Sequence, residues 1–371
     1  MLPIFDGHND VLLRLMRKPE GACGVTGFLQ GDGEGHLDLP RARAGGLAGG
    51  LFAVFVPSPG PEVDSGDLMR AAEYDLPLPK DVAVTHAQSV ALDMIALLFR
   101  IARRSAGAVR VCRTGAEIRE AVDAGALATV LHIEGAEPID GDFRMLEVLY
   151  AAGLRSLGPI WSRSNIFGHG VPFWFPSSPD TGPGLTDVGK ALVKACNELK
   201  ILVDLSHLNE QGFWEVASLT DAPLVASHSN AHALCPHSRN LTDAQLAAIR
   251  ESGGLVGVNF ASGFLRPDGR MLADTPLDHL VRHADYLIKH VGIEGVGFGS
   301  DFDGAVIPAE MGDAAGLPKL LEAFRAAGYD EPTLRKLCFE NWLRVLERSW
   351  GEASAGDSRG TVSECVAEAA G

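Results

Sequence analysis

Leu127-Ala128-Thr129-Val130-Leu131-His132-Ile133-Glu134-Gly135 is an apolar, β-branched run that stops abruptly on a carboxylate and a glycine. A run this short and this continuous reads as a strand buried on both faces, the kind found in parallel sheets. Runs of the same type recur at Pro3–Asp6, Leu47–Val56, Arg155–Ile160, Ile201–Ser206, Pro223–Ser227, Gly254–Phe260 and Gly295–Ser300. Helical spacing fills the intervals at Val82–Ser105, Phe143–Ala152, Leu185–Leu199, Gln211–Leu219, Asp243–Glu251, Leu277–Val291, Leu317–Ala327 and Glu331–Arg348, with Thr186 and Thr242 placed as N-caps. Eight buried strands alternating with helices describe an α/β chain, a (β/α)8 TIM-like barrel, which needs about 250 residues in its minimal form. A doubly wound sheet shares the alternation but would not place chemistry at the ends of so many strands.

The chain has 371 residues, and the surplus falls in segments rich in Gly, Pro, Ser and acidic residues. Arg14–Leu39, Pro57–Pro79 and Phe167–Gly184 therefore read as loop insertions. Residues 1–350 read as a single barrel and 351–371 as a poorly ordered C-terminal tail.

Composition narrows the function. With 32 Lys+Arg against 48 Asp+Glu the formal charge is −16, so a phosphate backbone meets repulsion and nucleic-acid binding is excluded. The longest strongly apolar stretch, Val90–Phe99, contains Asp93 and falls well short of the roughly 20 residues of a spanning helix, so no membrane partner is expected. Asp6, His8 and Asp10 arrive too early for an export signal, which points to a cytoplasmic protein. Cys23, Cys112, Cys196, Cys235, Cys338 and Cys365 are scattered without a C-x-x-C pair, and read as reduced, mostly buried thiols.

The strand ends carry the chemistry. The first leads into Asp6-Gly7-His8-Asn9-Asp10, where His8 and Asp10 project to one face of an extended segment. The third stops at Glu134, the fifth runs into Ser206-His207, the sixth into Ser227-His228 and the eighth into Ser300-Asp301. In a barrel these meet at one mouth. Each has an ordinary reading alone: Asp10 can cap a helix starting at Val11, and Glu134 can accept backbone N–H groups in its glycine turn. Jointly, three histidines and three carboxylates form an N/O ligand set suited to Zn²⁺ or a similar first-row ion. They are too many for one ion with an open position. Two ions sharing a carboxylate would lower the pKa of a bridging water and polarise a carbonyl, which is hydrolase chemistry. Among the other histidines, His132 shares a face with Glu134 and reads as a supporting or packing residue, and His232 and His237 read as supporting or solvated. His36, His86, His279, His283 and His290 read as surface residues.

The segments DGHND at 6–10, HIEG at 132–135, LVDLSH ending at His207, SHSNAHALCPHSRN at 227–240 and VGFGSDFDG at 296–304 resemble the membrane (renal) dipeptidase family of zinc peptidases, among the amidohydrolase-like barrels. The resemblance spans nearly the whole chain, in the family's order. It implies two Zn²⁺ per chain, His8 and Asp10 on one, His207 and His228 on the other, with Glu134 bridging. It further implies that Asp301 is the acid/base carboxylate and that Arg239 grips the free carboxylate of a dipeptide, L,L or L,D. Where many members carry a histidine after the fourth strand that contacts the scissile carbonyl and the developing oxyanion, Trp161 stands here. His169, on the following loop, is expected to serve in its place, both as a catalytic group and in substrate binding. The resemblance also implies a homodimer. The alternative is an amidohydrolase acting on N-acyl amino acids, cyclic amides or lactones. Side-chain preference lies with the loops and is not legible.

Overall fold

The computed structural model describes residues 1–18, 21–59 and 65–352. Its strands are β1 (Ile4–Asn9), β2 (Leu47–Phe55), β3 (Tyr74–Asp75), β4 (Val109–Val111), β5 (Leu127–Glu134), β6 (Leu154–Gly158), β7 (Trp174–Phe175), β8 (Leu202–Val203), β9 (Val225–Ser229), β10 (Leu255–Asn259) and β11 (Val296–Gly299). Eight of them lie side by side in the order β8-β6-β5-β2-β1-β11-β10-β9. Every pairing along that path is parallel, and a bridge from Asp204 to Val225 joins its two ends. The result is a nearly closed, TIM-like barrel made of the eight runs read from the sequence. Register brings the carboxyl ends level: Glu134 faces Phe55 on one side and Gly158 on the other, and Asn259 faces Gly299.

Strand β5 shows how the mouth is built. Leu131 and Ile133 pack outward with the helices, whereas Ala128 and Val130 pack with Phe5, Leu51, Leu202, Val225 and Leu255 inside the barrel. The period of two then turns His132 and Glu134 inward as well. Trp342, in the helix Asn341–Ser349, joins the inner cluster and closes the barrel below the mouth, its Nε1 donating to Phe298 O at 2.9 Å. Gly7 and Gly297 admit it, since a Cβ at either would lie 2.3 or 2.6 Å from the Trp342 ring.

Several expectations change. Arg14–Leu39 is not a loop: it holds the end of the helix Val11–Met16 and the helix Gly21–Gln30, and Asp38 caps the helix Leu39–Gly45. Three glycines in Gly21–Gln30 lower its intrinsic propensity by about 1 kcal/mol each. Burial of Val25 and Phe28, and a close approach that leaves an added Gly24 Cβ only 3.0 Å from Leu15 O, stabilise it instead. Pro57–Pro79 and Phe167–Gly184 contribute β3 and β7, which pair antiparallel (Tyr74 with Phe175). Their side chains pack with Met69, Cys235, Phe264 and Met271 into a small separate cluster. The helix Val84–Arg104 is, by length and composition, apolar enough to cross a membrane, contrary to the reading of its ten-residue apolar centre; its Ala91, Met94, Leu98 and Ile101 pack into the core. Cys112, Cys196, Cys235 and Cys338 are free and buried. The Cys23 side chain, Cys365 and the tail from residue 353 onward lie outside the described residues.

Candidate metal centre

Six residues predicted from the strand ends come together at the carboxyl mouth. His207 Nε2, His228 Nε2 and His8 Nε2 lie 2.9, 3.4 and 3.6 Å from Glu134 Oε1, and His8 Nε2 lies 3.2 Å from Asp10 Oδ2. Among the described residues three groups have ligand atoms all within 4.8 Å of one another: His8/Asp10/Glu134, Glu134/His207/His228 and His8/His228/Asp301. Glu134 is common to the first two, and all six side chains are buried.

The surroundings prepare these groups for a cation. Ser227 Oγ donates to Asp204 Oδ2 at 2.5 Å and lies 2.8 Å from His228 Nδ1, so that nitrogen carries the proton and Nε2 keeps its lone pair. Ser162 Oγ stands 3.0 Å from His207 Nδ1, and Arg239 Nη2, which can only donate, lies 3.2 Å from Nε2, so His207 takes the same tautomer. The two Nε2 atoms are then 3.1 Å apart with a carboxylate oxygen beside them, acceptors facing acceptors, an arrangement that a divalent cation satisfies. His8 Nδ1 and Asp10 Oδ1 are buried without hydrogen-bond partners. Burial, then the positive charges of Arg239 and His8, push His207 and His228 well below the ordinary imidazole range, so both are neutral, the state that binding a cation requires. Burial raises Glu134 well above the usual carboxylate range and Asp10 and Asp301 add repulsion, although His8 opposes them. Burial also disfavours a charge on His8, but Glu134 and Asp10 outweigh it and hold that imidazole up at about 10. The residues fit a metal centre.

Asp301 adopts a left-handed backbone (φ 60°), which turns its carboxyl into the mouth. Gly304 must follow it, because a Cβ there would lie 2.2 Å from Asp10 Oδ2 and 2.5 Å from Asp301 Oδ1. Asp6 ties β1 to this turn by accepting from Ser300 N at 2.6 Å and Ser300 Oγ at 2.8 Å. Asn259, absent from the sequence reading, donates from Nδ2 to Asp301 Oδ2 at 2.9 Å and accepts from Ala261 N at 2.6 Å. Burial, then repulsion from Asp10, raises the Asp301 pKa, while His8 and Asn259 pull it down.

Arg239 is buried beside the cluster. It donates to Ser206 O, its Nη2 lies 3.2 Å from His207 Nε2, and its Nε has no hydrogen-bond partner. Burial lowers its pKa to about 10, against the pull of Asp301 and Glu134.

His169 is not among the residues that line the cavity at the mouth. Its side chain is exposed, and its backbone N–H donates to Gly184 O at 3.2 Å within the loop that carries it. Trp161 lines the cavity instead, a space of about 720 Å³ that Asp10, Glu134, His207 and Asp301 also line. Arg163 is fully buried and held by Glu137 Oε1 (2.9 Å), Ser58 Oγ (2.8 Å) and Val56 O (2.8 Å). His132 is buried, its Nδ1 2.9 Å from Ser156 Oγ and its ring 5.5 Å from that of His8. His283 is not a surface residue: it is buried, accepts from Ala231 N at 3.1 Å and donates to Leu265 O at 3.0 Å. His36 is half-buried and accepts from Asp303 N at 3.0 Å on the cavity rim.

A parallel barrel whose carboxyl mouth gathers buried His/carboxylate triads around one shared glutamate defines a metal-dependent hydrolase. The comparisons give the family. Residues 1–355 match the profile described as membrane dipeptidase (peptidase family M19). A metallo peptidase from Rhodobacter sphaeroides, solved with a phosphinate mimic of the dipeptide L-Ala-D-Ala, is 55% identical with a TM-score of 0.92, over 94% of this chain and 99% of that one. The dipeptidase AC, also a metallo peptidase, is 56% identical with a TM-score of 0.91 over the same shares. An uncharacterized protein in the pqqA 5' region of Klebsiella pneumoniae is 55% identical over 256 residues, 69% of this chain and 94% of that protein. The chain belongs to the membrane dipeptidase family of metallopeptidases.

Proposed function

We propose that this protein is a dinuclear zinc dipeptidase that hydrolyses the peptide bond of free dipeptides. The observation that carries this reading is Glu134 shared between two ligand triads, with a carboxylate (Asp301) and a buried guanidinium (Arg239) beside them. The dipeptide mimic bound by the Rhodobacter sphaeroides relative supports the substrate class. His8 and Asp10 would hold one ion, His207 and His228 the other, and Glu134 both. The chemistry such ions supply is an acidified water and a polarised carbonyl near neutral pH.

The chain's own residues do the rest. Arg239 offers a planar fork to the α-carboxylate of the C-terminal residue, which fixes the reading frame of the substrate. The free amine lies toward Asp10 and Asp301, on the acidic side of the cavity. Asp301 accepts a proton as the scissile carbonyl is attacked and returns it to the amide nitrogen, which leaves as an amine because an amide anion is too poor a leaving group. Asn259 fixes one carboxyl oxygen of Asp301 and leaves the other for this transfer. Exposed His169 is given no part. Homodimerisation, which the family resemblance implies, and a cytoplasmic location, which rests on the sequence reading, complete the proposal; sedimentation and cell fractionation test them.

The experiment is hydrolysis of L,L and L,D dipeptides by zinc-loaded protein beside N-acetylated analogues and a chelator-treated control. Chelator-sensitive cleavage of the free dipeptides alone is the expected result. Cleavage of the acetylated compounds would instead favour an acylase or related amidohydrolase.

A further inference from the structure

Five side chains close a ring beside the metal centre. The Arg239 guanidinium stands 5.5 Å from the Phe264 ring centre, Phe264 is 6.1 Å from Phe173, and Phe173 is 5.9 Å from Trp161. Trp161 is 5.9 Å from the His207 ring, and His207 Nε2 returns to Arg239 Nη2 at 3.2 Å. His207, Trp161, Phe173 and Phe264 line the cavity, and Arg239 lies buried beneath. The wall is stiff. Trp161 packs on Phe55 at 4.7 Å, and the Arg163 guanidinium lies 5.5 and 5.6 Å from those two rings. Arg163 is itself locked by Glu137, so it offers no free charge to a ligand.

We propose that this ring is the side-chain subsite for the C-terminal residue of the substrate, and that it selects an apolar side chain there. The inference rests on the dipeptidase reading. In a dipeptide the Cα of the C-terminal residue is one bond from its carboxylate carbon and one from the scissile nitrogen. With the carboxylate on Arg239 and the scissile bond at Glu134 and His207, the side chain has to start inside the ring, facing Trp161, Phe173 and Phe264. Those three rings carry no ionised group, so an acidic or basic side chain facing them would lose its hydration without a charge partner. The charged side of the cavity is elsewhere: Arg14 pairs with Asp303 at 3.1 Å on the rim, next to His36 and Arg17. Only the N-terminal residue reaches that side. Trp161, which links Phe173 to the His207 edge of the ring, thus determines specificity.

The test compares L-Ala-X dipeptides, X being Gly or the L or D form of Leu, Phe, Asp or Lys, with X-L-Ala as the reverse series, on the zinc-loaded enzyme. The expected kcat/KM for Leu or Phe at the C-terminal position exceeds that for Asp or Lys by about 10- to 200-fold. Trp161→Ala should shrink this ratio at least fivefold, Trp161→Phe should retain it, and neither should alter the ranking in the reverse series. Equal rates for Asp, Lys and Leu at the C-terminal position, or a Trp161→Ala effect uniform across both series, would overturn the subsite while leaving the dipeptidase reading intact. Failure to cleave any dipeptide would overturn that reading first. Phosphinate mimics with Leu or Asp at the same position supply a readout independent of turnover, with tenfold tighter inhibition expected for Leu and equal inhibition counting against the subsite.

Discussion

Replacing Asn259 by Leu keeps the branched shape of a fully buried side chain, at somewhat greater bulk, and deletes its hydrogen bonds. The bond at stake is Nδ2 to Asp301 Oδ2, 2.9 Å long, to a residue whose backbone sits at φ 60°. Left-handed backbone at a residue other than glycine costs on the order of 1 kcal/mol or more, so Asp301 depends on its neighbours to stay where it is. A hydrogen bond to a charged group contributes about 1.5–3 kcal/mol, and loss of that amount from the proton-transfer step lowers kcat by about 10- to 150-fold. Asn259 does not line the cavity, so KM for L-Ala-L-Leu should stay within about twofold. Ala261 N loses its acceptor at the same time, for a stability loss of about 1–3 kcal/mol. The assay is therefore steady-state hydrolysis well below the unfolding midpoint, with zinc content measured on the same sample. A kcat within twofold of wild type at full zinc occupancy would refute the positioning argument. A large fall in KM-dependent terms alone would refute it as well.

Asp301→Asn should retain both metals and lose about 10²- to 10⁴-fold in kcat, read by single-turnover hydrolysis; near-normal turnover would remove its acid/base role. Arg239→Met should raise KM for free dipeptides about 10²- to 10³-fold, because a buried charge-assisted contact is lost, and an unchanged KM would remove it from substrate binding. Chelation should lower the unfolding midpoint and zinc should restore it, with elemental analysis finding two ions per chain rather than one. His283 supplies a pH signature: burial depresses its pKa from 6.5 to about 4. Its contribution is complete above pH 6.5 and is lost as pH falls toward 4, since the unfolded chain takes up the proton first, a change of about 3 kcal/mol. Urea unfolding across that window should show the slope, and His283→Gln should flatten it.

The barrel was legible because strands buried on both faces are nearly all apolar, so a polar residue at their carboxyl ends stands out. Glu134 after Leu127–Ile133, and His207 and His228 after their serines, are visible for that reason. The misreadings share a cause as well. Gly21–Gln30 looks like loop because its glycines are poor helix formers, and only the helix Val11–Met16 packed against Gly24 rewards them. His283 looks exposed because a histidine on an amphipathic helix resembles any polar residue until Ala231 N and Leu265 O are seen to receive it.

Sequence alone determined the period of each segment and the place where its polarity breaks, since both are properties of neighbouring residues. It thereby determined the strands, their order along the chain and the candidate ligands. Barrel closure decided which distant polar groups meet: Asn259 with Asp301, Ser162 with His207, Asp204 with Ser227 and through it His228. It also left His169 in solvent and put Trp161 against the cavity. These outcomes depend on strand register and on which side of a turn each side chain emerges, and no local stretch of residues carries that information.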